Sequence, residues 1–208
     1  MSAFLGKIHY WLYNKIQLHE NLLEQILEIA KNKNFDVETL KEESIKIYGD
    51  RVLGELQDVI DHGNIHGWLK SRIDSVEGRL AYDVTKLINS QVVKIEEMEQ
   101  IFKNSGASMM NGLEKSNYSL EDYYNLIFDY MIDGMPCDMV NEVVKSDEKE
   151  LVWERRICLH KVFFEKAGGD VEIYYRLRDA WIKGFLAASG EALDYQRTED
   201  GTNTIRRN

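Results

Sequence analysis

A chain of 208 residues, 44% of them hydrophobic, can bury one sizeable core, which argues against global disorder. Its formal charge of −10 argues against the basic faces that nucleic-acid backbones and anionic membranes select. No apolar run approaches the ~20 residues that span a bilayer.

A single proline, Pro136, and long charged and apolar stretches read as mostly helix. Two cysteines, Cys137 and Cys158, give no sign of a disulfide framework, so a reducing cytoplasm is the expected location. The first fifteen residues lack the basic start, apolar middle and small-residue cleavage site of a secretory leader.

The first helix is expected from about Gly6 to Lys31, with Ile8, Leu12, Ile16, Leu23, Ile26 and Leu27 at three- and four-residue steps. Residues 32–34 break it. Asp36 then caps a second helical stretch reaching Ile60, with a kink or break expected near Gly49 and Asp50. Residues 61–64 form the next turn signal, and a third helix runs from there to about Leu87.

This third helix repeats the first. Residues 6–23 and 63–80 match at an offset of 57 in eight of eighteen positions: Gly6/Gly63, Ile8/Ile65, His9/His66, Trp11/Trp68, Leu12/Leu69, Ile16/Ile73, Glu20/Glu77 and Leu23/Leu80. In the same register Gly49 falls on Gly106 and Ile45 on Phe102. The spacing therefore predicts a duplicated αα-hairpin, with copies at 6–56 and 63–113 inside a first segment, 1–116.

Beyond Ser116 the text changes. Ser119 and Asp122 form a capping box ahead of a tyrosine-rich helix. Pro136 fits the first turn of a short helix through Val144. Ser146 and Asp147 cap a further helix ending at Gly168 and Gly169. Asp170 caps a last one, ending near Gly190. The expected fold class is an all-α helical bundle: the duplicated hairpin plus about three more helices over 117–196, with a mobile tail at 197–208.

The shared residues concentrate the candidate chemistry. On a helix, His9 and Glu20 lie on the apolar stripe with Leu12, Ile16 and Leu23, and His66 and Glu77 do the same in the second copy. Within one helix the histidine and glutamate are roughly 16–17 Å apart and cannot share a ligand. Two packed copies can. Antiparallel copies make two His–Glu pairs; parallel copies bring His9 to His66 and Glu20 to Glu77.

Such a set has three uses: a register-fixing polar core, a zinc or non-haem iron site, or noncovalent haem between opposed histidines. His9, His66, Glu20 and Glu77, with His160 in the C-terminal half, are the candidate metal ligands. Cys158 reads as a small buried hydrophobe. Trp11 and Trp68 lie off the stripe and suit a partner or the C-terminal helices.

No phosphate loop, nucleophile elbow, HExxH or CxxC occurs, which points away from an enzyme. The reading is a helical bundle that binds a metal or cofactor, with a non-enzymatic adaptor or chaperone-like module as the alternative. A homodimer or a protein partner is expected; nucleic acid and membrane are not.

Overall fold

The computed structural model describes residues 5–114 and 116–208. Residues 1–4, part of the stretch read for a leader, and Lys115, beside the expected boundary at 116, lie outside the described residues. The described residues form eight α-helices and a four-stranded antiparallel sheet, so the expectation of an all-α bundle is corrected to a helix-rich mixed fold. The chain divides into two compact units: residues up to 94 together with 162–170, and 95–161 together with 171–208.

The first unit is helical. α1 (Lys7–Asn32) is followed by α2 (Val37–Tyr48), whose N-cap Asp36 accepts the Thr39 amide. α2 stops where glycine permits a left-handed turn, at Gly49 with φ +85°. The break expected near Gly49 and Asp50 is present, and beyond it the stretch toward Ile60 holds only the single turn α3 (Leu56–Val59). α4 (Ile65–Asn89) packs on both α1 and α2. α7 (Lys161–Ala167) adds Phe163 edge-on to Tyr48, with the Lys166 ammonium above the same ring.

α1 and α4 run parallel. His9 lies beside His66 near their N-terminal ends, Glu20 meets Arg79 midway, and Lys33 reaches the Val92 carbonyl at the far end. Of the shared aliphatic positions, Leu12, Leu69, Ile16, Ile73, Leu23, Leu80 and Ile65 are buried, whereas Ile8 is exposed.

The duplication ends with these two helices. α5 (Ile95–Asn111) belongs to the second unit and packs along α8 (Glu172–Ala188), whereas α2 packs on α4. The matched glycines serve different ends. Gly49 terminates a helix, but Gly106 lies inside α5, where a β-carbon would fall on the Trp181 carbonyl oxygen of α8. Gly184 of α8 sits equally close to the Lys103 carbonyl of α5. These two glycines let the backbones of α5 and α8 approach directly.

α6 (Leu120–Tyr130) begins with the Ser119/Asp122 capping box. After it, Pro136 opens only a single 3-10 turn ending at Asp138. The chain then forms β1 (Asn141–Ser146) and β2 (Glu150–Arg155), and after α8 it forms β3 (Leu193–Arg197) and β4 (Thr202–Arg207). Their order is β1-β2-β4-β3. Asp147, expected to cap a helix, instead accepts the Lys149 and Glu150 amides and turns the β1–β2 hairpin. The residues expected to trail as a tail supply β4, which lies between β2 and β3. Leu151, Ile205 and Tyr195 stand opposite one another on β2, β4 and β3, and all three are buried.

Candidate functional site

The repeated histidines do meet. The His9 and His66 rings approach edge to face, with centroids 5.6 Å apart. They are not on the buried side, however: His9 is half-buried and His66 is exposed. The Gly6 amide donates to His9 Nδ1 at 2.9 Å, closing the N-terminal turn of α1. A ring accepting at Nδ1 carries its neutral-state proton on Nε2, which removes that nitrogen as a metal ligand in this arrangement. Trp11 and Trp68 are half-buried beneath cations, with the Lys15 ammonium 3.6 Å from the Trp11 ring centre and the Arg72 guanidinium 5.8 Å from that of Trp68.

The repeated glutamates are buried but employed differently. Glu20 forms an ion pair with Arg79, a residue the repeat does not share. Glu77 is 6% exposed. One α-helical turn beyond Arg79, Asp83 is 1% exposed. Burial pushes its carboxyl up to about 7, against the opposing pull of the Ser44 hydroxyl and of Arg79. This is a polar seam between packed helices. Neither Arg79 nor Asp83 is part of the repeat, so the repeat gives no signal for them.

His160 belongs to a separate cluster in the second unit. Its Nε2 lies 3.2 Å from Asp133 Oδ1, its ring stacks on Tyr174 with centroids 3.8 Å apart, and it is 2% exposed. Arg178 of α8 brings Nη1 within 2.7 Å of Asp133 Oδ2, and Asn141 Nδ2 donates to the same oxygen at 3.1 Å. Burial by itself would raise the Asp133 carboxyl. Arg178, His160 and Arg155 outweigh it and hold the group well below the ordinary carboxylate range.

The cluster ties the segment after α6 to β1, to the segment before α7 and to α8. Its side chains are almost wholly buried, His160 and Arg178 at 2% and Asp133 at 7% exposure. Nothing in the sequence marks Asp133, at a helix end signalled only by Asp-Gly, as the partner of Arg178. Cys158, expected to be buried, is exposed and accepts a hydrogen bond from the Tyr175 hydroxyl at 2.9 Å.

No three histidine, cysteine, aspartate or glutamate side chains among the described residues are grouped to hold a metal ion. Of the five expected ligands, His9 and His66 meet each other, Glu20 meets Arg79, Glu77 is buried on the same helix as Arg79, and His160 in the second unit meets Asp133.

The exposed chemistry of the second unit lies at the edge of its sheet. Among the described residues β1 pairs only with β2. Five of its six residues are exposed, Val143 at 40% and Val144 at 49%. The ladder continues past the strand, where the Arg156 amide bonds the Val140 carbonyl at 2.8 Å. That register carries Met139 and Ile157 to the same end, 69% and 48% exposed. Met139 holds a left-handed backbone, φ +46°, which a side-chain-bearing residue adopts at a cost of ~1–3 kcal/mol. The opposite edge differs: β3 packs against α8, and its Arg197 pairs with Asp179 and Glu172.

No helix among the described residues is long and apolar enough to cross a membrane. In comparisons with known proteins, no family model, curated protein or solved structure matches the chain.

Proposed function

We propose that this chain is a non-enzymatic protein-interaction module whose docking surface is the open edge of its sheet. The observation carrying this reading is β1 itself: an edge strand with one neighbour, exposed along nearly its whole length and flanked by exposed Met139 and Ile157. Such an edge offers a row of backbone N–H and C=O groups to an added strand, and its apolar side chains give that strand something to cover. The polar clusters support the same reading from the other direction. Glu20–Arg79 and Asp133–Arg178–His160 are buried and mutually engaged, as groups that hold a scaffold are.

Photo-crosslinking tests it. A photoreactive residue at Val143 should yield adducts that one at exposed Glu42 on α2 does not, and Val144→Asp should abolish them. Equal labelling from both positions, or none from Val143, contradicts the reading.

A second reading retains the repeated helices as a metal or cofactor site, favoured by the 5.6 Å approach of His9 and His66. It requires His9 Nδ1 to give up the Gly6 amide, and it has two imidazoles without a third grouped ligand.

A further inference from the structure

We infer that the open edge is closed by a second copy of the chain, β1 pairing antiparallel with β1 about a two-fold axis; this rests on the docking reading above. The argument is the order of residues along the strand. From 141 to 146 it reads Asn-Glu-Val-Val-Lys-Ser. When two such strands run antiparallel with the axis between Val143 and Val144, each Glu142 stands opposite the other copy's lysine at 145. Val143 stands opposite valine 144, and Asn141 opposite serine 146. The charged positions are complementary and the centre is apolar. A symmetric interface must be self-complementary in this sense, because each contact occurs twice.

The charges are accessible for this. Glu142 and Lys145 side chains are about half exposed, at 48% and 50%. Glu142 now meets Arg156, and Lys145 meets Asp147 and Glu150, all at the surface. A bulge between Val143 and Lys145 sets Glu142, across from Glu154, and Lys145, across from Val152, on one face of the sheet, as pairing them across a two-fold axis requires. With the lysine it hinders indiscriminate pairing of this edge. The register just described is one in which the lysine is matched. Shifting it by one residue toward either end puts each lysine opposite the other copy's Asn141 or Val143, and Glu142 opposite Val144 or Ser146, so neither charge meets its opposite. The other edge strand differs: β3 is mostly half-buried against α8, and its Arg197 is engaged with Asp179 and Glu172.

The test is a charge exchange followed by sedimentation equilibrium. Wild-type protein should show a monomer–dimer equilibrium that weakens with added salt. Glu142→Lys alone and Lys145→Glu alone each set like charges opposite one another at two symmetric points. Each should weaken self-association by roughly 10-fold or more. An equimolar mixture of the two variants should recover it, because the heterodimer restores both opposite-charge pairs. Far-ultraviolet circular dichroism should be unchanged in both, since the positions are exposed.

Wild-type protein that stays monomeric at its highest soluble concentration overturns the inference, as do single variants that associate like wild type or a mixture that stays monomeric. The Val143 photo-crosslink separates this from failure of the docking reading. Adducts to other proteins with none of twice the chain mass sink the dimer alone, whereas no adducts of any kind sink both.

Discussion

Glu20 on α1 and Arg79 on α4 form an ion pair with side chains only 3% and 5% exposed. An ion pair taken out of water is weak evidence for stability as a pair, yet each member is costly to strand alone. Glu20→Ala should lower the unfolding free energy by about 3–5 kcal/mol, read from urea denaturation. Replacing both residues together, Glu20→Leu with Arg79→Met, should recover most of that loss. If Glu20→Ala unfolds within experimental error of wild type, the seam does not couple α1 to α4.

Asp83 predicts a pH dependence of opposite sign to that of most carboxylates. Its native pKa is raised to about 7 by burial, whereas in the unfolded chain an aspartate titrates near ~4. Between these values the native state keeps a proton the unfolded state has released. The contribution is full below ~4 and is lost as pH rises through about 7, an effect on the order of a few kcal/mol. Asp83→Asn should flatten this segment of the stability curve, stabilising the protein at pH 8 more than at pH 5. A variant whose Tm shifts equally at both values would show that Asp83 ionises normally.

The glycines between α5 and α8 can be tested by adding one carbon. In an open helix, Gly→Ala is worth up to ~1 kcal/mol of stabilisation. At Gly106 and Gly184 the new methyl meets the Trp181 and Lys103 carbonyls, so the sign should reverse. Each substitution should lower the Tm, whereas Gly168→Ser, with open space around its α-carbon but φ +72°, should cost less. Stabilisation by Gly106→Ala would mean that the two backbones do not touch.

Metal removal gives a further check. Two imidazoles, one committed to the Gly6 amide, are a poor cage for zinc or iron. Dialysis against a chelator should leave the thermal transition unmoved, and zinc added in slight excess should shift it by no more than a degree or so. A large zinc-dependent rise in Tm, lost in His66→Ala, would restore the repeated helices as the binding site.

The helical half of the fold was legible because its signals are local. Asp36 and the Ser119/Asp122 box cap the helices expected of them, and of the two arrangements the repeat leaves open the structure has the parallel one, with His9 beside His66. The sheet was not legible because each strand carries too little of its own signal. β4 reads Thr-Asn-Thr-Ile-Arg-Arg, with one aliphatic side chain, Ile205, buried on it. Its identity as a strand comes from β2, some fifty residues upstream. β2 does alternate, burying Leu151 and Trp153, but Ser146 and Asp147 ahead of it and Gly168 and Gly169 beyond also read as the ends of a helix. The candidate site was misread for a related reason. Repetition marks what two helices share, whereas Arg79, Asp83 and Asp133 act through partners that occur once.

The central claim is that a second copy covers the outer edge of β1, and amide hydrogen exchange measured at two protein concentrations tests it most directly. The account predicts that exchange over residues 141–146 slows as the concentration rises, while β3 and the amides of α2 keep their rates. Exchange over β1 that is the same in dilute and concentrated solution, or slowing spread evenly over the chain, would contradict it.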